Sequence, residues 1–444
     1  MKKHNYSAGP CILPQEVFEK SAQAILDFNN SGLSILEISH RSKDFVAVMD
    51  EARALVLELL NLEGKGYEVL FLGGGASMQF LMVPYNLMKV DGKAAYLDTG
   101  TWANAAIKEA KLFGETVVVA SSKSENYNHI PKDYSVPTDA DYFHCTSNNT
   151  IFGTQMKSFP EVNMPLVCDM SSDIFSRVLD FSKFDLIYAG AQKNMGPAGA
   201  TLVVVKTEIL GKTGRTIPSM LDYQQHVSKE SMYNTPPVFP VYASLLTLQW
   251  LKKLGGIAAI EKINEAKANL LYNEIDRNPL FKGTATKEDR SNMNVTFLLN
   301  DEAHQEKFDA MWKAAGISGL AGHRSVGGYR ASMYNALPLE SVQVLVDVMK
   351  ELENKIDEII QKQSQDSQDN TPEQQVIHTS IFAPENNVMM FKIRFNIENE
   401  IRRIWKQHFT EKDSQYKPIL KLMNDLTKYE IINRDLYGIL REIL

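Results

Sequence analysis

Lys193 follows a predicted strand, at a place in the sequence where a lysine amine could act as a nucleophile. It follows the apolar run 186–189 and lies among small residues, between Gly190 and the pair Gly196 and Pro197. This pattern predicts a buried strand that ends just before the lysine, in a turn with little side-chain bulk. Lysine amines form Schiff bases with aldehydes, but only the neutral amine attacks, so the site must lower the pKa of the lysine. Alone, the pattern also fits a solvated turn lysine.

Asp169 supplies a possible partner for that lysine. It ends the apolar run 166–168, one predicted strand before Lys193, and the connection 170–183 has the length of a crossover. If the two strands are neighbours, both side chains emerge at the same edge of the sheet. Pyridoxal phosphate needs this pair, a lysine for its aldehyde and a carboxylate that keeps its pyridine nitrogen protonated. The alternative for Asp169 is a capping or turn aspartate.

Three further strand ends carry groups suited to a flat, phosphorylated ligand. The glycine run at 73–77 follows a strand and opens a helix, where backbone N–H groups bind phosphate. It is not GxGxxG, so it does not indicate a dinucleotide site. Trp102 could stack on a heteroaromatic ring or simply pack at the surface. Thr150, after the strand 142–145, offers a hydroxyl.

The elements around these residues alternate between strands and helices over the first 250 positions. This alternation predicts an α/β fold with a mainly parallel sheet, in which ligands bind beyond the carboxyl ends of the strands. From about Gly255 the pattern changes to a long helix, a strand, and a last helix that ends near Ile360. We therefore predict a large domain at 1–255 and a smaller α+β domain at 256–360.

The remainder of the chain has a different composition. Segment 361–376 is almost wholly polar and is predicted to be a flexible linker. Segment 377–444 is predicted to be a helical extension of unknown function, with helices at 419–426 and 431–444. Apolar residues recur there near helical spacing, and they are expected to form the extension's own core: Val388, Phe391, Phe395, Ile401, Trp405 and Phe409.

Bulk composition narrows the class of protein. The 444 residues carry a net charge of -7, with 44% hydrophobic and 23% charged residues, which is typical of a soluble globular protein. Nothing in this balance indicates nucleic-acid or membrane binding. The cysteines Cys11, Cys145 and Cys168 are far apart and are expected to be reduced thiols, and no metal-ligand spacing occurs. A cytoplasmic enzyme is the expectation.

Six motifs occur in an order that resembles the phosphoserine aminotransferase family, of class V and fold type I. The resemblance runs from about Tyr6 to about Lys355. The motifs are SAGP at 7–10, EISHRS at 37–42, GGGASMQF at 73–80, AGAQKN at 189–194, YNTPP at 233–237 and GHRSVGGYRAS at 322–332. The resemblance implies a fold type I aminotransferase with a mainly parallel, seven-stranded sheet, working as a homodimer with pyridoxal phosphate.

The resemblance also implies roles for the cofactor-binding residues. Lys193 would bond the cofactor aldehyde, Asp169 would pair with the pyridinium nitrogen and Trp102 would stack on the ring. Thr150 would lie near the 3-hydroxyl group. The cofactor phosphate would be held by Ala76, Ser77 and Gln192, and by Asn234 and Thr235 of the partner subunit. Some members of the family have an arginine where this chain has Ser77, so phosphate binding here would depend more on other residues.

Substrate binding would fall on basic residues near both ends of the matched region. Arg330 would grip the α-carboxylate, since the planar guanidinium suits carboxylates. The substrate phosphate, or the distal carboxylate of glutamate, would be surrounded by His40, Arg41, His323 and Arg324. Ser7 would also bind the substrate. Without the resemblance, His40 and Arg41 would be interpreted as an exposed basic turn, and His323 and Arg324 as a loop with surface ion pairs.

The expected reaction is transamination between glutamate and 3-phosphohydroxypyruvate, which gives phosphoserine and 2-oxoglutarate. Formation of 4-phosphohydroxythreonine, for pyridoxal phosphate synthesis, is a second expected activity. The alternatives are an aminotransferase for alanine, serine or glyoxylate, and an enzyme core whose tail serves partner binding. A cysteine desulfurase is disfavoured because no cysteine lies in a predicted mobile loop.

Overall fold

The structure is a computed structural model that describes residues 3–368, 397, 401–405, 419–429, 431–432, 436–437 and 440. The chain divides into two compact units, Met1–Ser364 and Gln365–Leu444. Each unit has its own hydrophobic cluster or clusters. No helix in the described part of the chain combines the length and the hydrophobicity needed to cross a membrane.

The described strands and helices follow the alternation expected from the sequence. The strands are β1 His4–Asn5, β2 Tyr67–Leu72, β3 Lys93–Asp98, β4 Glu115–Ser121, β5 Phe143–Thr146, β6 Asn148–Asn149, β7 Thr154–Gln155, β8 Leu166–Asp169, β9 Leu186–Gly190, β10 Thr201–Lys206, β11 Phe281–Gly283, β12 Asn294–Leu299, β13 Ile317–Ser318 and β14 Tyr329–Ser332. The α-helices are α1 Gln15–Leu26, α2 Lys43–Leu59, α3 Gly75–Leu87, α4 Thr101–Ala110, α5 Ala191–Asn194, α6 Tyr223–Val227, α7 Val238–Leu254, α8 Ile257–Arg277, α9 Gln305–Ala314, α10 Leu339–Gln368 and α11 Ile419–Lys428.

A seven-stranded sheet forms the centre of the first unit, in the order β2-β10-β9-β8-β5-β3-β4. Only β10 runs antiparallel to its neighbours, so the predicted mainly parallel sheet is confirmed. Alternate residues of each strand face opposite layers: Tyr188 packs with α3 and α4, whereas Ile187 packs with α2 and α7. Burial on both faces explains why these strands are almost continuously apolar.

The carboxyl ends of the parallel strands meet at one edge of this sheet. Strand β8 pairs in parallel with β9, with Asp169 opposite Tyr188, and with β5 on its other side. Three helices begin at this edge directly after a strand and a glycine: α3 after Gly74, α4 after Gly100 and α5 after Gly190. The predicted proximity of the strand ends that carry Asp169 and Lys193 is therefore confirmed at the level of topology.

A second cluster surrounds the antiparallel sheet β11-β12-β14, with α8, α9 and α10 packed around it. The N-terminal segment joins this cluster rather than the large sheet. Strand β1 pairs with β13, and the buried Tyr6 hydroxyl donates to the carbonyl oxygen of Ser341 at 2.6 Å. A distant strand pairing therefore holds these first residues against the cluster of the smaller domain, while the division at residue 255 stays a prediction.

Helix α10 runs to Gln368, past its expected end near Ile360 and into the predicted linker 361–376. The stretch 361–368 contains no glycine or proline and is rich in glutamine, a good helix former, so continuing the helix costs little. Residues 361–368 thus continue the helix, while 369–376 lie outside the described residues, and the flexible linker at 361–376 stays a prediction.

The second unit has a hydrophobic cluster of its own. Trp405 is 1% exposed and packs in one cluster with Leu422, Met423 and Leu426 of α11. This confirms the predicted helix near 419–426 and the interpretation of Trp405 as a core residue. Of the other predicted core positions, Val388, Phe391, Phe395 and Phe409 lie outside the described residues, as does most of 431–444.

Candidate active site

Lys193 lies on the short helix α5, between β9 and β10, at the edge where the parallel strands end. Its Nζ donates to the Thr150 hydroxyl at 2.9 Å. Burial is the largest influence on the Lys193 pKa and lowers it; Asp169 opposes this shift, and the charge of Arg330 adds to it. Burial and Arg330 therefore favour the neutral amine that covalent chemistry with an aldehyde requires, whereas Asp169 favours the charged form.

Asp169 ends β8 and is 4% exposed. Its Oδ1 accepts a hydrogen bond from the Ser171 N–H at 2.9 Å, and the Ser171 hydroxyl accepts from the N–H of Gly190 at 3.1 Å. Ser171 thus joins the ends of β8 and β9. Burial raises the Asp169 pKa, while Lys193 and the Ser171 hydrogen bonds lower it. A cationic ring nitrogen beside Asp169 would stabilise the ionised carboxylate further.

An aromatic ring and an open helix end lie at the neighbouring strand ends. The Trp102 ring, on the first turn of α4, has its centroid 5.8 Å from Lys193 Nζ. Ala76 and Ser77 form the first turn of α3, whose capping residue Gly74 has φ 89° and makes no side-chain cap. A Cβ added at Gly73 would meet no atom within 4 Å. The first N–H groups of α3 are therefore placed to bind an anion.

Arg330 and His323 approach this centre from the smaller domain. Arg330 lies on β14, and its Nη1 donates to the Thr150 carbonyl oxygen at 3.5 Å. Its buried Nε has no hydrogen-bond partner among the described residues. Burial lowers the His323 pKa, and the charges of Arg330 and Arg324 lower it further. An anionic substrate between these groups would neutralise this clustered positive charge.

Other predicted residues are not brought to Lys193 within this chain. Arg41, Asn234 and Thr235 are exposed, as is Arg324, whereas His40 is half-buried. No hydrogen bond, ion pair or ring contact joins any of them to Lys193 in the described ranges. Ser7 and Gln192 make other contacts. Ser7 packs against Gly319, and the Gln192 carbonyl oxygen accepts a hydrogen bond from the Cys11 N–H at 3.0 Å.

Asn234 and Thr235 line a cavity of about 410 Å³ together with Gly73 and Met78. This cavity lies beside the glycine turn that precedes α3, and Lys193 is not among its lining residues. The loop that carries Asn234 and Thr235 therefore lies close to the glycine turn.

Reasoning from the sequence missed two residues that hold segment 191–196, the lysine turn, in place. The Cys11 thiol donates to the Lys193 carbonyl oxygen, and Asn194 bonds to two distant segments. Cys11 was interpreted only as a reduced thiol, and all three cysteines are indeed free, with Cys145 and Cys168 buried. The SAGP motif at 7–10, just before Cys11, was the only local signal that this segment matters. A local pattern cannot predict a contact with a residue 182 positions away.

The residues present fit pyridoxal phosphate. The buried carboxylate of Asp169 has one oxygen bonded to Ser171, while its charge acts on Lys193, and the end of α3 provides N–H groups beside glycines. Lys193, Asp169, Trp102 and the first turn of α3 would hold the aldehyde, the ring nitrogen, the ring face and the phosphate. When bound, the cofactor serves as an electron sink for the substrate's α-carbon.

Comparison with known proteins agrees with this site. The family model described as aminotransferase class-V matches residues 4–345. The chain is 86% identical to the phosphoserine aminotransferase of Flavobacterium psychrophilum over 356 residues, 80% of this chain and 100% of the relative. Identity to the phosphoserine aminotransferase of Parabacteroides distasonis is 61% over 355 residues, 80% of this chain and 99% of the relative.

Solved structures show the same likeness. Phosphoserine aminotransferase from Bacillus circulans subsp. alkalophilus superposes with a TM-score of 0.77 at 44% identity, covering 80% of this chain and 99% of that one. The phosphoserine aminotransferase of Trichomonas vaginalis, described as bound to pyridoxal phosphate, gives a TM-score of 0.75 at 36% identity, with 79% and 100% covered. The chain belongs to the class-V aminotransferase family.

Proposed function

We propose that this chain transfers the amino group of glutamate to 3-phosphohydroxypyruvate and so produces phosphoserine and 2-oxoglutarate. The observation that carries the proposal is the grouping of Lys193, Asp169 and Arg330 at one sheet edge, in a chain 86% identical to a phosphoserine aminotransferase. The lysine and the carboxylate serve the cofactor, and the arginine serves a substrate carboxylate. Both substrates carry two anionic groups, which matches the cations around Arg330.

Each step of the reaction can be assigned to residues of this chain. Arg330 binds the α-carboxylate and fixes the Cα–H bond relative to Lys193. The Lys193 amine, whose pKa burial lowers, is the group that would move a proton at the substrate's α-carbon. Asp169 would keep the cofactor's ring nitrogen protonated, while the Thr150 hydroxyl accepts a hydrogen bond from Lys193 Nζ. The Trp102 ring would pack on the face of the cofactor ring.

Recognition of the substrate phosphate is assigned to His323 and Arg324, with His40 and Arg41 from a loop before α2. Burial lowers the His323 pKa and the charges of Arg330 and Arg324 lower it further, and a bound dianion would oppose the effect of these charges. The same groups would accept 3-hydroxy-2-oxo-4-phosphobutanoate, which carries a phosphate and a carboxylate, so we propose it as a second substrate. The ratio of kcat/KM for the two oxo acids tests this extension.

We propose a homodimer in which Asn234 and Thr235 reach the partner's cofactor phosphate. Their exposure, and their place in the 410 Å³ cavity beside the glycine turn, support this assignment.

Mixing the inactive Lys193→Ala variant with an Asn234→Ala, Thr235→Ala double variant tests the shared site. A shared site predicts a mixed dimer with one intact site and regained activity, whereas no gain above the sum of the parents would contradict it. A cytoplasmic location stays a prediction from composition.

The deciding experiment is an absorbance spectrum of the pyridoxal-phosphate-loaded protein before and after phosphoserine is added. Loss of the visible band on addition of phosphoserine would establish the reaction class and show that phosphoserine donates its amino group in the reverse reaction. A response to alanine or serine, but not to phosphoserine or glutamate, would support the alternative substrate class. No visible band after loading would overturn the assignment of an active aminotransferase.

A further inference from the structure

A buried polar cluster lies behind Lys193, outside the residues assigned to cofactor or substrate. Asn194, the next residue, is 6% exposed. Its Nδ2 donates to the Ile174 carbonyl oxygen at 2.6 Å, and its Oδ1 accepts from the backbone N–H of Asn335 at 2.8 Å. Through Asn194, the lysine turn is thus hydrogen-bonded both to the segment that follows Asp169 and to the turn that follows β14.

Asn335 extends this cluster in two directions. Its Nδ2 donates to the Phe175 carbonyl oxygen at 3.0 Å, and its Oδ1 accepts from Nδ2 of Asn264 at 2.9 Å. Asn264, on α8, also donates to the Ser176 carbonyl oxygen at 3.0 Å. Three asparagines therefore connect α8 of the smaller domain, the turn after β14 and the lysine turn.

Lys267, three residues beyond Asn264 on α8, holds the same turn from its other side. Its side chain is fully buried, and Nζ donates to the carbonyl oxygens of Met333, Tyr334 and Leu337 at 3.0, 2.9 and 3.1 Å. No carboxylate forms an ion pair with Lys267 among the described residues. Burial lowers its pKa to about 7, whereas the three carbonyl oxygens favour the charged form.

An unpaired ammonium group is costly to bury, and here all its protons are used on one turn. That turn begins one residue after β14, the four-residue strand that carries Arg330. We propose that Lys267 and Asn335 are positioning residues: they fix turn 333–337, so that Arg330 and Lys193 keep the alignment that proton movement at the α-carbon requires. Neither residue touches the substrate or the cofactor. The inference rests on the proposed function.

The test uses the full-length, cofactor-loaded protein and two variants, Lys267→Met and Asn335→Asp. The first removes all three donors with similar volume, and the second removes the donor to Phe175. Leu271→Ala is the matched control, because Leu271 is also buried on α8 but packs in the hydrophobic cluster. The readouts are the unfolding temperature, kcat and KM for glutamate, and amide hydrogen exchange at residues 191–196.

Both variants are expected to lower kcat by at least about tenfold, equivalent to roughly 1.4 kcal/mol of barrier. They should also speed exchange at 191–196, which the Lys267 side chain does not contact. Leu271→Ala should lower the unfolding temperature while leaving kcat and that exchange near the parent values.

Parental kcat and exchange in folded Lys267→Met and Asn335→Asp would overturn the inference, since the residues would then only stabilise the fold. If Lys267→Met does not fold, Asn335→Asp decides alone. Exchange does not depend on turnover, so the two proposals fail separately. A parent protein without transaminase activity would overturn the proposed function, while exchange at 191–196 would still test the connection from Lys267 to the lysine turn.

Discussion

Charges of both signs act on the pKa of Lys193, so removing one or the other should move this pKa in opposite directions. Asp169 raises its pKa, whereas Arg330 lowers it. Only the neutral amine attacks an aldehyde, so the rate at which cofactor-free protein bonds pyridoxal phosphate should rise with pH through this pKa. Asp169→Asn should move the midpoint to lower pH, and Arg330→Gln should move it to higher pH.

Stopped-flow absorbance across a pH series measures these midpoints. Asp180→Asn is a suitable control, because Asp180 caps a short helix at the surface and does not contribute to the Lys193 pKa. Midpoints that move in the same direction in Asp169→Asn and Arg330→Gln would contradict the electrostatic account.

Replacing Lys193 with alanine removes the amine itself. We expect kcat to fall by at least about 10²-fold, the lower range for loss of a general acid–base group, and the band of lysine-bonded cofactor to be absent. Lys183→Ala is the control, because Lys183 is exposed and pairs with Glu161 on the surface. Turnover of Lys193→Ala at the parental rate would show that another base does the work.

The residues of the site were predictable to different depths. Lys193 and Asp169 followed from strand ends, because a carboxylate or an amine directly after an apolar run must emerge at the sheet edge. Arg330 and His323 came from family resemblance alone. Asn335 and Lys267 were not found, since their partners are carbonyl oxygens and amides of distant segments that leave no local pattern.

At the scale of elements, the apolar runs predicted the sheet well because both of its faces are buried. Boundaries were harder where burial does not decide them. Helix α10 continues through the polar stretch 361–368, and strand β1 depends on pairing with β13, more than 300 residues away. Composition predicts whether a segment can build a core, but not whether a polar segment continues a helix that is already formed.

The turn into α3 gives a prediction at this scale. Gly74 has φ 89°, and an added Cβ would lie 2.6 Å from Cβ of Met78. Gly74→Ala should lower the free energy of unfolding by at least about 1–2 kcal/mol, the cost of a left-handed conformation for a residue with a side chain. It should also weaken cofactor binding by tilting the first turn of α3.

Gly73→Ala is the matched control for stability, because Gly73 does not have a positive φ and its added Cβ meets nothing within 4 Å. Denaturant unfolding of the cofactor-free proteins separates the two variants. Equal stability in both would show that the turn relaxes and that the backbone conformation does not require glycine at 74.

At the scale of the whole molecule, the match to known enzymes and the division into units fall at nearly the same place. The relative from Flavobacterium psychrophilum is covered completely by 80% of this chain, and the first compact unit ends at Ser364. Every residue assigned to the reaction lies in that unit. The second unit has a separate cluster around Trp405 and Leu422, with the amphipathic helix α11.

This division predicts that a chain of residues 1–364 folds, binds pyridoxal phosphate and keeps kcat and KM within about twofold of the full chain, because separate hydrophobic clusters contribute independently to stability. Parallel measurements of kcat, KM and unfolding temperature on both chains test it. Trp405→Ala in the full chain is the companion variant: it should disrupt the second cluster and leave the cofactor spectrum unchanged. Loss of the spectrum in either protein would mean that the extension supports the active site, and the enzyme could then no longer be treated as complete at residue 364.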